Sequence, residues 1–329
     1  MPESSRTIIS TAPFLHDQAT TPRIMWEVVL SMMPLLLAGF YFFGLSAVLV
    51  TAVCVLACMG TEWLFQGGAK LRDGSALITG MLLAFTLPPG FPLWMAFVGG
   101  VVAIGMGKAI WGGLGQNIFN PALVGRAFLQ AAFPGAITTW ELPDGQYLTG
   151  RGGNFSLPFL KADVVDAISG ATPLAKMKFS HELTNWSDLL VGNTSGCIGE
   201  TSTALILLAG LYLAYRGLIN WRIPIGIFIA VATLSALVYG SAPDRYPPPH
   251  FMLMAGGLML GAVYMATDLV TSPLTSNGIW IYSCGIGALV VLIRLWGGLP
   301  EGVMYAILLM NAATPLINRY TRRRVYGHS

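Results

Sequence analysis

The chain reads as an all-α integral membrane protein: about ten transmembrane helices in two inverted five-helix repeats, with one long extracytoplasmic loop between them. Three observations predict this. Of 329 residues, 54% are hydrophobic and 10% charged, with a mean hydropathy of +0.66, whereas about a quarter of a soluble globule is charged. The apolar residues gather in runs near the ~20 residues needed to cross a hydrocarbon core, where no backbone polar group can be left unsatisfied. Finally, Trp111-Gly-Gly-Leu114 recurs as Trp296-Gly-Gly-Leu299.

The predicted spans are 24–44, 45–65, 75–88, 91–110, 117–134, 198–215, 223–241, 251–270, 279–298 and 301–318. Two are short or broken. The third runs into Pro88-Pro89-Gly90, and the fifth opens on Gln116-Asn117 and carries Pro121 and Arg126. The chain is one polytopic domain, 1–329, with the polar segment 135–187 inserted between the halves. Neither end carries a basic leader with a small-residue cleavage site.

Orientation follows from basic residues, which are retained on the cytoplasmic side in short loops. With both termini inside, Arg6, Arg23, Lys70, Arg72, Lys108, Arg216, Arg222, Arg319, Arg322, Arg323 and Arg324 fall on the cytoplasmic face. Thr172 and the whole 135–187 loop then lie outside, with Lys161, Lys176 and Lys178 tolerated because long loops cross regardless of charge. The recurring strings fit inverted halves. Asn120-Pro-Ala-Leu-Val-Gly-Arg126 follows the first Trp-Gly-Gly, Asn311-Ala-Ala-Thr-Pro-Leu-Ile-Asn-Arg319 follows the second, and Gly80 with Thr86 matches Gly261 with Thr267 in spacing. Chance recurrence of glycine-rich strings is the competing account.

Cys54, Cys58, Cys197 and Cys284 form no C-x-x-C pair, so they read as small buried hydrophobes rather than cluster or zinc ligands. The net charge of +3 reflects cytoplasmic loops and implies no nucleic-acid partner. The lipid bilayer is the partner that composition itself implies.

The polar loop contains Asp166-Ala-Ile-Ser-Gly-Ala-Thr172. A threonine hydroxyl is a poor nucleophile and no redox group, so Thr172 carries redox chemistry only if a cofactor is attached. A phosphoester to a flavin suits the surroundings. Gly170 and Ala171 leave room for an approaching enzyme, Ser169 can orient phosphate oxygens, and Pro173 stops the loop from continuing as a helix.

Asp166 to Thr172 matches the Asp-x-x-Ser/Thr-x-Ala-Thr pattern of flavin transferase acceptors. Other strings match in order: Ser10-Thr-Ala-Pro-Phe-Leu-His16, Gly112-Gly-Leu-Gly-Gln-Asn-Ile-Phe-Asn-Pro121, Gly199-Glu-Thr-Ser202, Gly261-Ala-Val-Tyr-Met-Ala-Thr-Asp268 and Tyr320-Thr-Arg-Arg-Arg-Val-Tyr-Gly-His328. With these the chain resembles the D subunits of Rnf complexes, the ion-translocating ferredoxin:NAD oxidoreductases, and more distantly the B subunits of sodium-pumping NADH:quinone oxidoreductases. The resemblance implies FMN esterified to Thr172 by a flavin transferase, with electrons passing to and from neighbouring subunits. Those are an FMN-bearing G subunit at the outer face, the A and E membrane subunits, and the soluble B and C subunits. It also implies a bacterial inner-membrane location with the Thr172 loop in the periplasm. The distant relative suggests a noncovalent riboflavin among the helices, for which Asn117 and Asn120 are the candidates; capping of the broken helix explains them equally.

Acids within a membrane are costly and mark function. Glu200, at a helix start after Gly192-Asn-Thr-Ser-Gly196, and Asp268, before Ser272-Pro273, are candidates for an ion path, with helix-end satisfaction as the alternative for each. Glu27 and Glu62 sit nearer the cytoplasmic interface. Arg126 and Arg294 either attract the flavin phosphate or snorkel to the interface. His16 lies in a soluble arm, without the clustering a metal needs. No dinucleotide fingerprint, phosphate loop or cluster-binding cysteine set is present, so the chain is a redox subunit rather than a complete enzyme. Hydropathy alone would equally suit a urea- or ammonium-type channel with an unmodified loop.

Overall fold

The computed structural model describes residues 20–67, 73–143, 147–148, 150–158, 170–200, 202–243 and 245–322. His16, the N-terminal strings, Lys70, Arg72, Lys161, Asp166, Ser169, Arg323 and Arg324 lie outside these. The described residues are helical and connecting segments throughout.

The helices are α1 (Thr21–Phe43), α2 (Leu45–Gln66), α3 (Ser75–Phe85), α4 (Leu93–Ile104, continued by a π turn Gly105–Ala109), α5 (Pro121–Ala132) and α6 (Pro134–Ile137). The polar segment adds α7 (Pro173–Ala175, continued by a π turn Lys176–Ser180) and α8 (Trp186–Val191). Then follow α9 (Thr203–Tyr215), α10 (Arg222–Ser241), α11 (Pro249–Met254), α12 (Leu258–Leu260, continued by a π turn Gly261–Met265), α13 (Ser276–Trp296) and α14 (Val303–Tyr320). By length and composition α1, α2, α10 and α13 suffice to cross a membrane, while α3, α4 with its π turn, and α9 are shorter apolar helices.

Three predicted spans need correction, the sixth because Ser202 is extended and caps α9, which opens at Thr203 and not at 198. The fifth opens at Pro121, not 117, because Asn120 stays extended and its Oδ1 accepts the Ala122 N–H at 3.0 Å. The eighth, 251–270, is no continuous helix. Ala255 is extended and Gly256 adopts φ +68°, a left-handed conformation that glycine takes without steric penalty, so the chain breaks between α11 and α12.

α2 packs along α3 and α4, and α4 along α5; in the second half α10 packs along α13 and α13 along α14. α1 with α9, and α5 with α14, join the halves. Small residues permit this closeness, as is usual between membrane helices. A Cβ on Gly80 would stand 2.6 Å from the Val55 Cα, and one on Gly287 2.6 Å from the Ala230 Cβ. The two Trp-Gly-Gly strings differ in backbone. Gly112 and Gly113 have φ +107° and +106° in a turn, whereas Trp296 ends α13 and Gly297 has φ −72°.

Helix ends collect at two levels. At one, Leu45 donates its N–H to the Tyr147 carbonyl, Leu93 to Asn154 and Ile198 to Leu87, so the polar segment covers the starts of α2 and α4. At the other, Arg216 pairs with Glu27, Lys108 with Glu62, Arg222 donates to the Ser276 hydroxyl, and Thr275 meets Thr321. One large core runs through the bundle. A small separate cluster of Leu174, Leu189, Phe251 and Ala255 fastens α7 to α8 and α11.

Candidate functional site

Thr172 has the extended backbone of an N-cap, φ −64° and ψ 156°, and its Oγ1 accepts the Ala175 N–H at 3.2 Å. Pro173 therefore does the reverse of what the sequence suggested. It occupies the first position of α7, where a missing N–H costs nothing, and so starts a helix instead of preventing one. Gly170 likewise serves packing rather than access. Its N–H donates to the Trp140 carbonyl at 2.9 Å, and a Cβ there would stand 2.8 Å from Leu142 Cγ. Ala171 is exposed, and its carbonyl accepts the Ser195 hydroxyl at 2.7 Å. Bonds on both sides and buried Leu174 thus fix the half-buried threonine in place.

Thr172 borders a cavity of about 430 Å³ whose wall includes Trp140, Phe179, Leu299 and Pro300 and whose floor holds Arg126, Cys197, Glu200 and Glu301. Arg126, from α5, donates to the Thr86 carbonyl beyond α3, to Cys197 Sγ at 3.5 Å and to Glu301 Oε2 at 3.1 Å. At 7% exposure it does not snorkel. Arg294 is also buried and bonds the Met252 and Ala255 carbonyls at 2.6 and 2.8 Å, closing the open end of α11. Glu301 accepts the Gly257 N–H, and a Cβ on that glycine would stand 2.6 Å from Glu200 Oε1 and 3.1 Å from Glu301 Oε1. Glu200 therefore lies in the floor of a cavity, ahead of the helix that Ser202 caps. Lys178 donates to the carbonyls of Arg294, Gly297 and Leu299, tying the loop that follows Thr172 to the end of α13. Partial burial lowers its ammonium below the ordinary lysine range.

The remaining candidates sit elsewhere. Asn117, Asn120 and Asp268 line a second cavity of about 120 Å³ at the opposite level, with Lys108, Tyr264 and Thr267. Asn120 donates its amide to the Met265 carbonyl at 3.2 Å besides capping α5. Asn117 donates to the Phe119 carbonyl and keeps a buried Oδ1 without a partner. Asp268 closes its own turn, accepting from Val270 N–H and Thr271 Oγ1, both at 3.2 Å. Nearby, Glu62 is wholly buried and pairs with Lys108 at 2.5 Å, which moves both from the interface, where the sequence put them, into the core. Among the described residues no three His, Cys, Asp or Glu side chains gather to hold a metal.

Sequence reasoning missed Glu301, although the tenth predicted span begins on it. An acid opening an apolar run was the available signal. It also missed Trp140, for which a tryptophan in a polar segment, one of two there with Trp186, gives no local cue. Of the four cysteines, Cys284 is exposed, against the expectation of burial.

Residues 8–327 match the model of the family described as NQR2, RnfD, RnfE. The chain belongs to the NQR2, RnfD, RnfE family. A relative in Acetobacterium woodii, named as the D subunit of a Na⁺-translocating ferredoxin:NAD⁺ oxidoreductase complex, is 41% identical over 97% of this chain and 95% of its own length. One in Clostridium ljungdahlii, named as the D subunit of a proton-translocating complex of the same kind, is 40% identical over 97% and 96%. The D subunit of an ion-translocating oxidoreductase complex of Stutzerimonas stutzeri is 41% identical over 95% and 94%. Among the strings quoted above, Gly112 to Pro121 and Gly261 to Asp268 contribute residues to the second cavity, and Glu200 of the Gly199 string borders the first.

Proposed function

We propose that this chain is the FMN-bearing electron-transfer membrane subunit of an ion-translocating Rnf complex, coupling ferredoxin/NAD redox chemistry to Na⁺ or H⁺ movement across a bacterial inner membrane. The observation that carries the flavin is Thr172 itself: fixed in place, half-buried and bordering a cavity of about 430 Å³. Small-molecule sites usually fall within ~300–1,000 Å³. Its Oγ1 acts as acceptor toward Ala175, so the hydroxyl proton is free to leave. In maturation the oxygen would attack the flavin-side phosphorus of FAD; the P–O–P bond breaks, AMP departs and the proton passes to base. The flavin then supplies reversible electron transfer, while this chain's residues hold it. Asp166 and Ser169 belong to the acceptor pattern, and Gly170 and Ala171 set the loop.

The further parts of the reading follow from the two levels of helix ends. Arg23, Lys108, Arg216, Arg222, Arg319 and Arg322 fall away from the Thr172 loop, which supports cytoplasmic termini and a periplasmic loop. The α2–α4–α5 and α10–α13–α14 packing supports two related halves, inverted in the membrane, within about ten spans. Asn117 and Asn120 at the second cavity are the candidates for a noncovalent riboflavin, and Glu200 and Asp268, one at each cavity, for the cation path. Partners are an FMN-bearing G subunit, the A and E membrane subunits, the soluble B and C subunits, and a flavin transferase. Relatives of nearly equal identity are named for different ions, so overall similarity does not set the ion.

The test is flavin fluorescence of the denatured chain in a gel, after co-production with a flavin transferase. A band in the wild type that vanishes in Thr172→Ala, with the protein still in the membrane, is the expected result. Absence of the band in the wild type overturns the covalent flavin and leaves a subunit of the same family with an unmodified loop.

A further inference from the structure

The wall and floor of the cavity beside Thr172 differ in character. The wall carries Trp140 and Phe179, the latter 70% exposed, with Leu299 and Pro300. The floor is the ion pair of buried Arg126 with part-buried Glu301, beside Cys197 and Glu200. Large aromatic side chains left open beside an apolar recess mark a place for something flat and apolar. A charged pair at the bottom calls for a ligand whose far edge donates and accepts hydrogen bonds. An isoalloxazine has both: a dimethylbenzene end, and a pyrimidine edge with two carbonyls and an N–H between them.

We propose that this cavity is the berth of the isoalloxazine ring of the flavin attached to Thr172, with Trp140 as its aromatic platform and the Arg126–Glu301 pair facing the pyrimidine edge. The inference rests on the covalent flavin proposed above. Arg126 has five N–H donors, and its bonds to Thr86, Cys197 and Glu301 leave others for a ligand carbonyl. Glu301 is fixed by Arg126 and by the Gly257 N–H. The Arg126 guanidinium favours the anionic reduced ring and offsets the Glu301 and Glu200 carboxylates in the same floor, so its removal leaves those carboxylates uncompensated and lowers the flavin's midpoint potential.

Fluorescence of the full flavinylated chain tests this. An indole in contact with a flavin quenches its emission, so Trp140→Phe brightens the native chain several-fold and leaves denatured emission unchanged. Aqueous iodide should quench the native wild type far less than free FMN. Leu299→Trp, which fills the cavity, should restore iodide access while the denatured gel band persists. Arg126→Gln should lower the midpoint potential. If the native wild type is quenched by iodide as fully as free FMN, or if Trp140→Phe leaves native emission unchanged, the berth is wrong although the flavin is attached. A missing band in the denatured wild type instead overturns the covalent flavin itself.

Discussion

Replacing Lys108 by methionine tests whether the bundle depends on its buried charge pair. Lys108 and Glu62 are 2% and 1% exposed, and the ammonium donates at 2.5 Å to both Glu62 Oε1 and the Ser75 hydroxyl. Glu62 Oε2 has no partner, so Lys108→Met strips the carboxylate of its countercharge inside the core. Removing one member of a buried pair costs about 3–5 kcal/mol, because the other is left charged and desolvated. At ~1.4 kcal/mol per tenfold, a loss near the middle of that range is roughly a thousandfold in the folded-to-unfolded ratio. The double variant Lys108→Met/Glu62→Leu removes both charges and should recover most of the loss, since apolar replacements of buried pairs at similar volume are often neutral. Tryptophan fluorescence during titration from mild detergent into sodium dodecyl sulfate reads all four corners of this double-mutant cycle. The reasoning is refuted if Lys108→Met unfolds within about 0.5 kcal/mol of wild type, the ordinary range for surface substitutions.

Three further outcomes follow from the geometry. Gly80→Ala places a methyl group 2.6 Å from the Val55 Cα, so α3 and α2 must separate; a loss of at least about 1–3 kcal/mol is expected in the same titration. Asn120→Ala removes the α5 cap and the bond to the Met265 carbonyl, together about 1–3 kcal/mol, whereas Asn120→Asp keeps the cap and should lose less. A periplasm-specific reporter fused near residue 160 should be active, and cytoplasmic activity there would overturn the proposed orientation.

What the sequence disclosed divides along physical lines. Helices were legible because hydrophobicity is a local quantity that a window of residues can measure. The break at Ala255-Gly256-Gly257 was overlooked although its glycines are in plain view, because the apolar window around them outweighed the turn. Thr172 stands out in the sequence because an acceptor pattern is a contiguous string; the modification proposed for it rests on that string and on the cavity it borders. Arg126 does not: its partners are Thr86, Cys197 and Glu301, 40 to 175 positions away, and no local spacing encodes them. An arginine in an apolar run suggests either attraction of a flavin phosphate or snorkelling; the fold encloses Arg126 against the cavity that Thr172 borders, which removes only the second. Gly170 was read as open because a missing side chain looks the same in sequence whether it admits a visitor or a neighbour; Leu142 and Ser195 fill that space.

The length of the polar segment has a reason beyond carrying Thr172. Every helix leaves backbone N–H groups bare at its start and carbonyls bare at its end, and a bundle that ends at a membrane surface must satisfy them. The segment does this in both senses. Its Tyr147 and Asn154 carbonyls accept from Leu45 and Leu93 at the starts of α2 and α4, and Lys178 supplies protons to the carbonyls of Arg294, Gly297 and Leu299 at the end of α13. The loop that presents Thr172 is therefore held by the helix ends it satisfies, and its position is coupled to α13 and to the Leu299–Glu301 wall of the cavity. Shortening it would uncover those ends as well as displace the threonine. The flavin proposed for Thr172 would gain a repeatable distance to its redox partner from such an attachment, because a free tether would let the distance drift.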